Sequence, residues 1–334
     1  MRNATRVGMM IVLGALAALP AQAQGTWVKK YDAKRVTGIQ VVSLQLLAAA
    51  AEDSILLSLN SGENWQVRLA EPDANLRDVH IFDQQNGWAV GSPGVVLQIK
   101  VSVTGPGAGR LQGLGETDFQ CVYFRDANTG WVGGAGGRLL ATKDGGVTWS
   151  SQTFQLPQGS SEGADASVQA VVFPTEQNGV AVLGGKALVY TEDGGKEWRP
   201  LGFPENVMLE DLTRQGQALW LAGGRRLTPT LTVGMLWRSD DFGKTWKTVA
   251  VGELYGAVTS VWFADANTGF ITVKGKLYAT RDAGATWTEA SDGTTAIDKV
   301  IGADANNLWG LSGGAIYRYT AGGAAPPPAS GSGR

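Results

Sequence analysis

The two residue types that carry most metal and nucleophile chemistry are nearly missing from this chain: of 334 residues, one is cysteine and one is histidine. A structural zinc site draws its ligands chiefly from those two types, and a Ser-His or Cys-His pair needs its own histidine. Neither has redundant candidates, so no metal, no cofactor and no catalytic residue is expected. Cys121 cannot form an internal disulfide and reads as a small core residue of a strand from Phe119 to Phe124. His80 alternates with apolar neighbours in Asp78-Val79-His80-Ile81-Phe82 and reads as a satisfied strand histidine. An excess of positive charge is missing too. Lys and Arg total 28 against 30 Asp and Glu, which excludes the basic field that a nucleic-acid partner requires. Beyond the N-terminal region no segment approaches the roughly eighteen consecutive apolar residues of a membrane-spanning helix.

That N-terminal region has the anatomy of a secretory leader. Arg2 and Arg6 precede an apolar run from Val7 to Leu19, followed by Pro20 and the small-x-small triplet Ala21-Gln22-Ala23. Cleavage is expected after Ala23, giving an exported, periplasmic-type product with no membrane insertion and no cysteine at the cut to take a lipid. At the other end, residues 321–334 contain Pro326-Pro327-Pro328 and then Ser and Gly, and are expected to be a disordered tail.

What the chain has in abundance is glycine, 47 residues, and tryptophan, 12 residues, and both follow a pattern. An eight-residue box recurs five times: Ser58 to Trp65, Thr142 to Trp149, Thr191 to Trp198, Ser239 to Trp246 and Thr280 to Trp287. Its fixed residues are a hydroxyl side chain, then an acid or amide, a glycine and a tryptophan. The acid or amide positions are Asn60, Asp144, Asp193, Asp241 and Asp282, and the closing aromatics are Trp65, Trp149, Trp198, Trp246 and Trp287. This Asp-box is a hairpin turn. The carboxylate accepts backbone N–H groups, the glycine takes a positive φ, and the tryptophan opens the next strand. These acids are therefore read as structural.

A second landmark runs in step: Asn86-Gly87-Trp88, Thr129-Gly130-Trp131, Asn178-Gly179-Val180, Ala218-Leu219-Trp220, Thr268-Gly269-Phe270 and Asn307-Leu308-Trp309, with a blurred copy at Asp53 to Leu57. Seven units of about 44 residues fit propeller blades. One unit reads directly as a four-stranded meander: Val168 to Phe173, Gly179 to Leu183, Ala187 to Thr191 and Glu197 to Leu201. The fold class expected is all-β, a seven-bladed β-propeller of four-stranded antiparallel blades over residues 24–320. The last unit runs out after three strands, and Thr26 to Lys30 is expected to supply its fourth and close the ring. The second unit has no box after Gln98, where a Gly-rich stretch from Gly105 to Gly115 stands instead.

These units resemble the photosystem II stability and assembly factor family. Phe124-Arg125-Asp126-Ala127-Asn128-Thr129-Gly130-Trp131 and Phe263-Ala264-Asp265-Ala266-Asn267-Thr268-Gly269-Phe270, each followed by its box, carry the likeness best. The resemblance implies a non-enzymatic scaffold that binds a protein partner, a subunit of a membrane complex or its exported loops, during assembly. The family also has relatives in bacteria that do not photosynthesise.

In a four-stranded meander the first-to-second turn and the box lie on one face, and the second-to-third turn and the blade connections on the other. The second-to-third turns then carry Arg138, Lys186, Arg225, Arg226, Lys274 and Lys276 at equivalent heights on successive blades. This arc is the candidate partner-binding site on a monomer, with arginine supplying forked hydrogen bonds to acidic loops. The connections on the same face carry Glu71, Asp73, Glu162, Asp165, Glu205, Glu253 and Asp292. Arg225 to Met235 reads as an enlarged turn and a plausible contact point. The alternative is an exported glycoside hydrolase of sialidase type, or a carbohydrate-binding protein. It needs facing carboxylates, or a tyrosine nucleophile with three arginines. An N-terminal Arg-Ile-Pro segment is absent, and no spacing selects a pair among Asp118, Asp165 and Glu210-Asp211.

Overall fold

The computed structural model describes residues 24–32, 35–83, 86–101, 108–110, 114–154, 167–204, 206–252 and 254–322. The expected leader over residues 1–23, most of the expected tail, and Glu162, Asp165, Glu205 and Glu253 lie outside them. Within them, 28 strands form seven four-stranded antiparallel sheets. Six sheets are meanders in chain order. The seventh joins Lys299–Asp304, Asn307–Ser312 and Ala315–Thr320 to Thr26–Asp32 as its outermost strand, so the ring closes as the sequence implies. The blurred first-unit landmark is corrected: Leu47–Ala51 is the second strand there, and Asp53 to Leu57 is mostly the third, Ser54–Ser58. The run Leu47-Ala48-Ala49-Ala50-Ala51 is wholly buried and lacks the Gly-Trp marker, which hid its place in the repeat.

Each box is held as a local knot of hydrogen bonds. In blade three the Gly146 N–H donates to Thr142 Oγ1 at 2.8 Å, while Thr142 Oγ1 donates to Asp144 Oδ1 at 2.8 Å. The Thr148 N–H and hydroxyl donate to the two Asp144 oxygens at 2.8 and 2.6 Å. Gly146 stands at φ 94°, a conformation that L side chains rarely adopt. The hydroxyl is thus as integral to the knot as the acid, a role that turn chemistry alone did not reveal. The knot is tied to its own blade's first turn by the Gly145 N–H, which donates to the Asn128 carbonyl at 2.8 Å. On the other face, the Leu209 N–H donates to the Gly185 carbonyl at 2.6 Å, joining a second-to-third turn to the start of the following blade's first strand, Val207–Gln215. The two-face assignment therefore holds.

Aromatic triplets fill three of the blade interfaces. Trp88 stacks on Phe124 of the next blade at 3.3 Å and 5°, and Trp149 meets the same ring edge-on at 6.1 Å. Trp131, Phe173 and Trp198 repeat this, as do Trp220, Phe263 and Trp287. The landmark glycine makes room for it: a Cβ on Gly130 would lie 2.5 Å from the Phe124 ring. Second strands are buried along their length, as in Gly87–Gly91 and Gly130–Gly134.

Candidate functional site

The six predicted cations stand where the turns place them. Arg138 opens the third strand of blade three, Arg138–Thr142, and Lys186 ends the Gly184 to Lys186 turn of blade four. Lys274 lies in the turn of blade six, and Lys276 opens its third strand, Lys276–Thr280. All six are exposed. Lys276 is not available as expected, because its Nζ lies 3.0 Å from Glu289 Oε1 and the pair neutralises it.

Blade five departs from the sequence reading. Arg225 to Met235, expected as an enlarged loop, is an ordered β-ribbon in which Ala218–Thr228 and Leu231–Ser239 pair through Arg225↔Val233, Arg226↔Thr232 and Thr228↔Leu231. Only Pro229 and Thr230 remain as the tip. Alternating side chains with a proline at the turn look loop-like in one dimension, but here they extend the hairpin. Its edge is covered, since the Gly234 N–H donates to the Leu254 carbonyl at 3.0 Å and the Gly256 N–H to the Thr232 carbonyl at 2.8 Å. Because neighbours in a strand point to opposite sides, Arg225 and Arg226 face opposite surfaces of the ribbon. Leu227 and Tyr255, each 54% exposed, add apolar surface to this region.

The structure also assembles a charged belt around the axis. Six of the innermost strands carry a bulge at one register, and at four of them the side chain after it, that of Asp78, Cys121, Asp211 or Ser260, bonds to the next blade. Asp78 Oδ2 accepts from the Val122 N–H at 3.0 Å, and Asp211 Oδ2 from the Ser260 hydroxyl at 2.7 Å and the Val261 N–H at 3.2 Å. Ser260 repeats the device, with its Oγ accepting from the Val300 N–H at 3.2 Å. Lys299 Nζ lies 4.0 Å from Asp211 Oδ1, and that carboxylate raises the lysine pKa. Burial pushes the Asp78 carboxyl up, against the pull of Lys299 and its N–H donors. These acids join blades and are engaged by neighbours. Asp211 of the Glu210-Asp211 pair is one of them. In sequence nothing singled them out, because Asp78 follows Arg77 and Asp211 follows Glu210 in strands that carry several polar residues.

The box acids are engaged in the same way. The Thr148 hydroxyl holds the Asp144 carboxyl at about 2, and the Thr286 hydroxyl does the same for Asp282. Burial works against ionisation of Asp193 and Asp241, yet their hydrogen bonds hold both below the usual range. Such carboxylates are committed to their turns and poorly suited to proton transfer. Among the described residues no cluster of three or more His, Cys, Asp or Glu could hold a metal ion. Cys121 is buried and its thiol is pushed up, away from the reactive thiolate.

His80 meets Tyr123 of the next blade edge-on at 5.4 Å, and burial pushes its pKa from 6.5 to about 4. The unfolded chain then binds the proton more readily than the folded one, so this contribution is complete above about pH 6.5 and is lost as pH falls toward 4. Wild type is expected to lose up to roughly 3 kcal/mol across that window. His80→Gln should flatten the slope. Urea midpoints at pH 7, 5.5 and 4 check this, and parallel slopes for the two proteins would refute it.

Comparisons place this geometry among known proteins. The chain is 24% identical over 205 residues to the photosystem II assembly lipoprotein Ycf48 of Synechococcus sp. (strain CC9902), a match covering 60% of this chain and 58% of that one. The match thus spans little more than half the relative's length. A solved YCF48 bound to D1 peptide superposes with a TM-score of 0.66 at 16% identity, covering 90% of this chain and 97% of that one. The GH74 enzyme of Niastella koreensis also reaches a TM-score of 0.66, at 13% identity and over 87% of this chain and 53% of the enzyme. At these identities the structures share the fold alone. The family model for the photosynthesis system II assembly factor YCF48 matches residues 114–201 and 161–323, more than half of the sequence, and by that match the chain belongs to this family.

Proposed function

We propose that this protein is a non-enzymatic, exported scaffold that binds a protein partner as a monomer and assists assembly or stability of a membrane protein complex. The observation that carries the reading is the family match combined with exposed cations on one face of a closed ring. A YCF48 of similar fold holds a D1 peptide, which supports a peptide or exported loop as the partner class. Arg138, Lys186, Arg225, Arg226 and Lys274 supply the positive charge on blades three to six, and Leu227 and Tyr255 an apolar anchor beside it. Lys276 contributes through its ion pair with Glu289 rather than as a free charge. Acidic segments of a partner suit this surface, because arginine offers paired donors to a carboxylate.

The test is capture from detergent-solubilised membranes. Wild type should retain a discrete membrane-complex subunit, and Arg138→Glu/Arg225→Glu/Arg226→Glu should lose it by tenfold or more while keeping its thermal midpoint. Undiminished capture by the variant would remove the cationic face from the proposal. Turnover of any member of a glycan panel would overturn the non-enzymatic reading.

A further inference from the structure

A separate site lies on the box face, between blades three and four. There a cleft of about 470 Å³ is bordered by the outer strand of blade three, Ser150–Gln152, and by the box turn of blade four. Trp131 lines it and Trp198 is buried behind Gly195; they are only 2% and 3% exposed, and both indole N–H groups lack an acceptor. At several equivalent positions in the repeat the indole N–H is satisfied. Trp88 donates to the Gly145 carbonyl at 3.3 Å and Trp309 to the Ser61 carbonyl at 3.3 Å. Among box tryptophans, Trp149 donates to the Gly146 carbonyl at 3.0 Å and Trp246 to the Gly243 carbonyl at 3.1 Å. Trp65 and Trp287 share the lack of an acceptor, but beside Gly195 two such donors converge: a Cβ built there would lie 3.3 Å from Trp131 Nε1 and 3.5 Å from Trp198 Nε1. An unmet buried donor costs about 1–3 kcal/mol, so the pair favours any acceptor that can reach it.

One side chain covers the spot. Gln152 Oε1 lies 3.3 Å from the same Cβ point, yet its amide nitrogen is held only by two long contacts of 3.4 Å, to the Ser150 carbonyl and hydroxyl. It can swing aside at little cost. The rim carries Arg125, Lys143 and Lys196 against Glu176 and Asp193. Asp193 is spent on its own turn, accepting from the Thr191 hydroxyl and the Lys196 and Glu197 N–H groups. Arg125 is shared with Asp126 at 3.1 Å and the Glu176 carbonyl at 3.2 Å, whereas Lys143 and Lys196 have no ion pair among the described residues. Two donors without acceptors, near Lys143 and a Lys196 that only Asp193 offsets at a distance, call for an anion that accepts in-plane hydrogen bonds. Stacking of a sugar is disfavoured because Phe173 already packs on Trp131 at 3.7 Å and meets Trp198 edge-on at 5.7 Å.

We infer that this cleft binds a peptide through a carboxylate, with the oxygens over the Trp131 and Trp198 N–H groups and Lys143 and Lys196 beside them. Among the described residues Ser150–Gln152 pairs on one side only, and up to the bridge between Phe154 and Trp198 its other edge offers backbone donors and acceptors to an extended segment, which a free small anion would leave unused. The site is independent of the cationic face.

The test follows the two indole N–H resonances in ¹⁵N-tryptophan-labelled full-length protein. Four probes are titrated: acetyl-Gly-Ala-Ala with a free C-terminus, its C-terminal amide, acetyl-Gly-Glu-Ala-amide and its Gln counterpart. The free acid or the Glu peptide should move both resonances downfield, and which of them does so identifies a terminal or a side-chain carboxylate. The amide and Gln peptides should leave both in place. Lys143→Gln and Lys196→Gln, both in exposed turns, should each weaken binding about fivefold, and Trp131→Phe should abolish the response of Trp198. Equal shifts from acid and amide probes, unchanged affinity in both lysine variants, or no shift with any probe would overturn the site. Acetate binding as tightly as the peptides would overturn the peptide assignment.

Discussion

Deletion of residues 24–32 is expected to destabilise the protein by at least about 4 kcal/mol and to broaden its unfolding, because it opens the ring. Thr26–Asp32 is the outermost strand of blade seven and pairs from Thr26↔Thr320 to Asp32↔Ala315. Trp27 is 6% exposed and packs on Tyr319 at 5.1 Å. The strand also reaches both neighbouring blades. Gly25 exchanges backbone hydrogen bonds with the Ala290 to Asp292 connection at 2.9 and 3.0 Å, and Lys30 pairs with Glu63 of blade one at 2.6 Å. Arg318 meets the same Glu63 at 2.9 Å, so one carboxylate holds both sides of the seam, and its hydrogen bond from Lys30 keeps it below the usual range. Without the strand, Ala315–Thr320 becomes an open edge and the apolar cluster around Trp27, Leu308 and Tyr319 meets water. Scanning calorimetry and urea unfolding measure the change. An unaltered midpoint and slope would show that the ring does not depend on this closure.

Trp88→Ala should cost about 3–5 kcal/mol, the range for truncating a fully buried aromatic. Trp88 is the wedge between blades two and three: it has no exposed surface, stacks on Phe124 at 3.3 Å, and donates to the Gly145 carbonyl at 3.3 Å. The loss would therefore fall on a packed interface, a ring stack and the hydrogen bond that anchors the next blade's box. Trp88→Phe separates these contributions. It keeps an aromatic face for Phe124 but removes the donor, and should cost about 1 kcal/mol. Val147→Ala is the control, since Val147 is 81% exposed on the neighbouring box and its loss should stay within about 0.5 kcal/mol. Denaturant midpoints for the three variants decide the matter. Equal destabilisation by Trp88→Ala and Val147→Ala would mean that the wedge carries no interface.

The two proposed surfaces were legible to different degrees. The cations on the face away from the boxes follow from strand counting, because the face on which a turn lies depends only on its place in the meander. Their individual availability did not follow. Lys276 is neutralised by Glu289, 13 residues along on the outer strand, and Arg225 and Arg226 are separated by strand alternation in a ribbon that read as a loop.

Local chemistry in the sequence was enough to determine the repeat. A box closes within eight residues, through Thr142, Asp144, Gly146 and Thr148 and their counterparts, and the same spacing dictates the turn wherever it occurs. Copies of that turn, the Gly-Trp landmark and the short closing strand then allow only a ring of like sheets. Tertiary structure alone decided what meets across the blades. Asp211 and Lys299 are 88 residues apart and lie beside the axis on different blades, and Trp131 and Trp198, 67 residues apart, share an interface whose N–H groups were left without acceptors. Such pairings depend on which side chain each blade presents at one register. That choice varies from blade to blade while the repeat stays constant, so the pattern that reveals the fold carries no record of it.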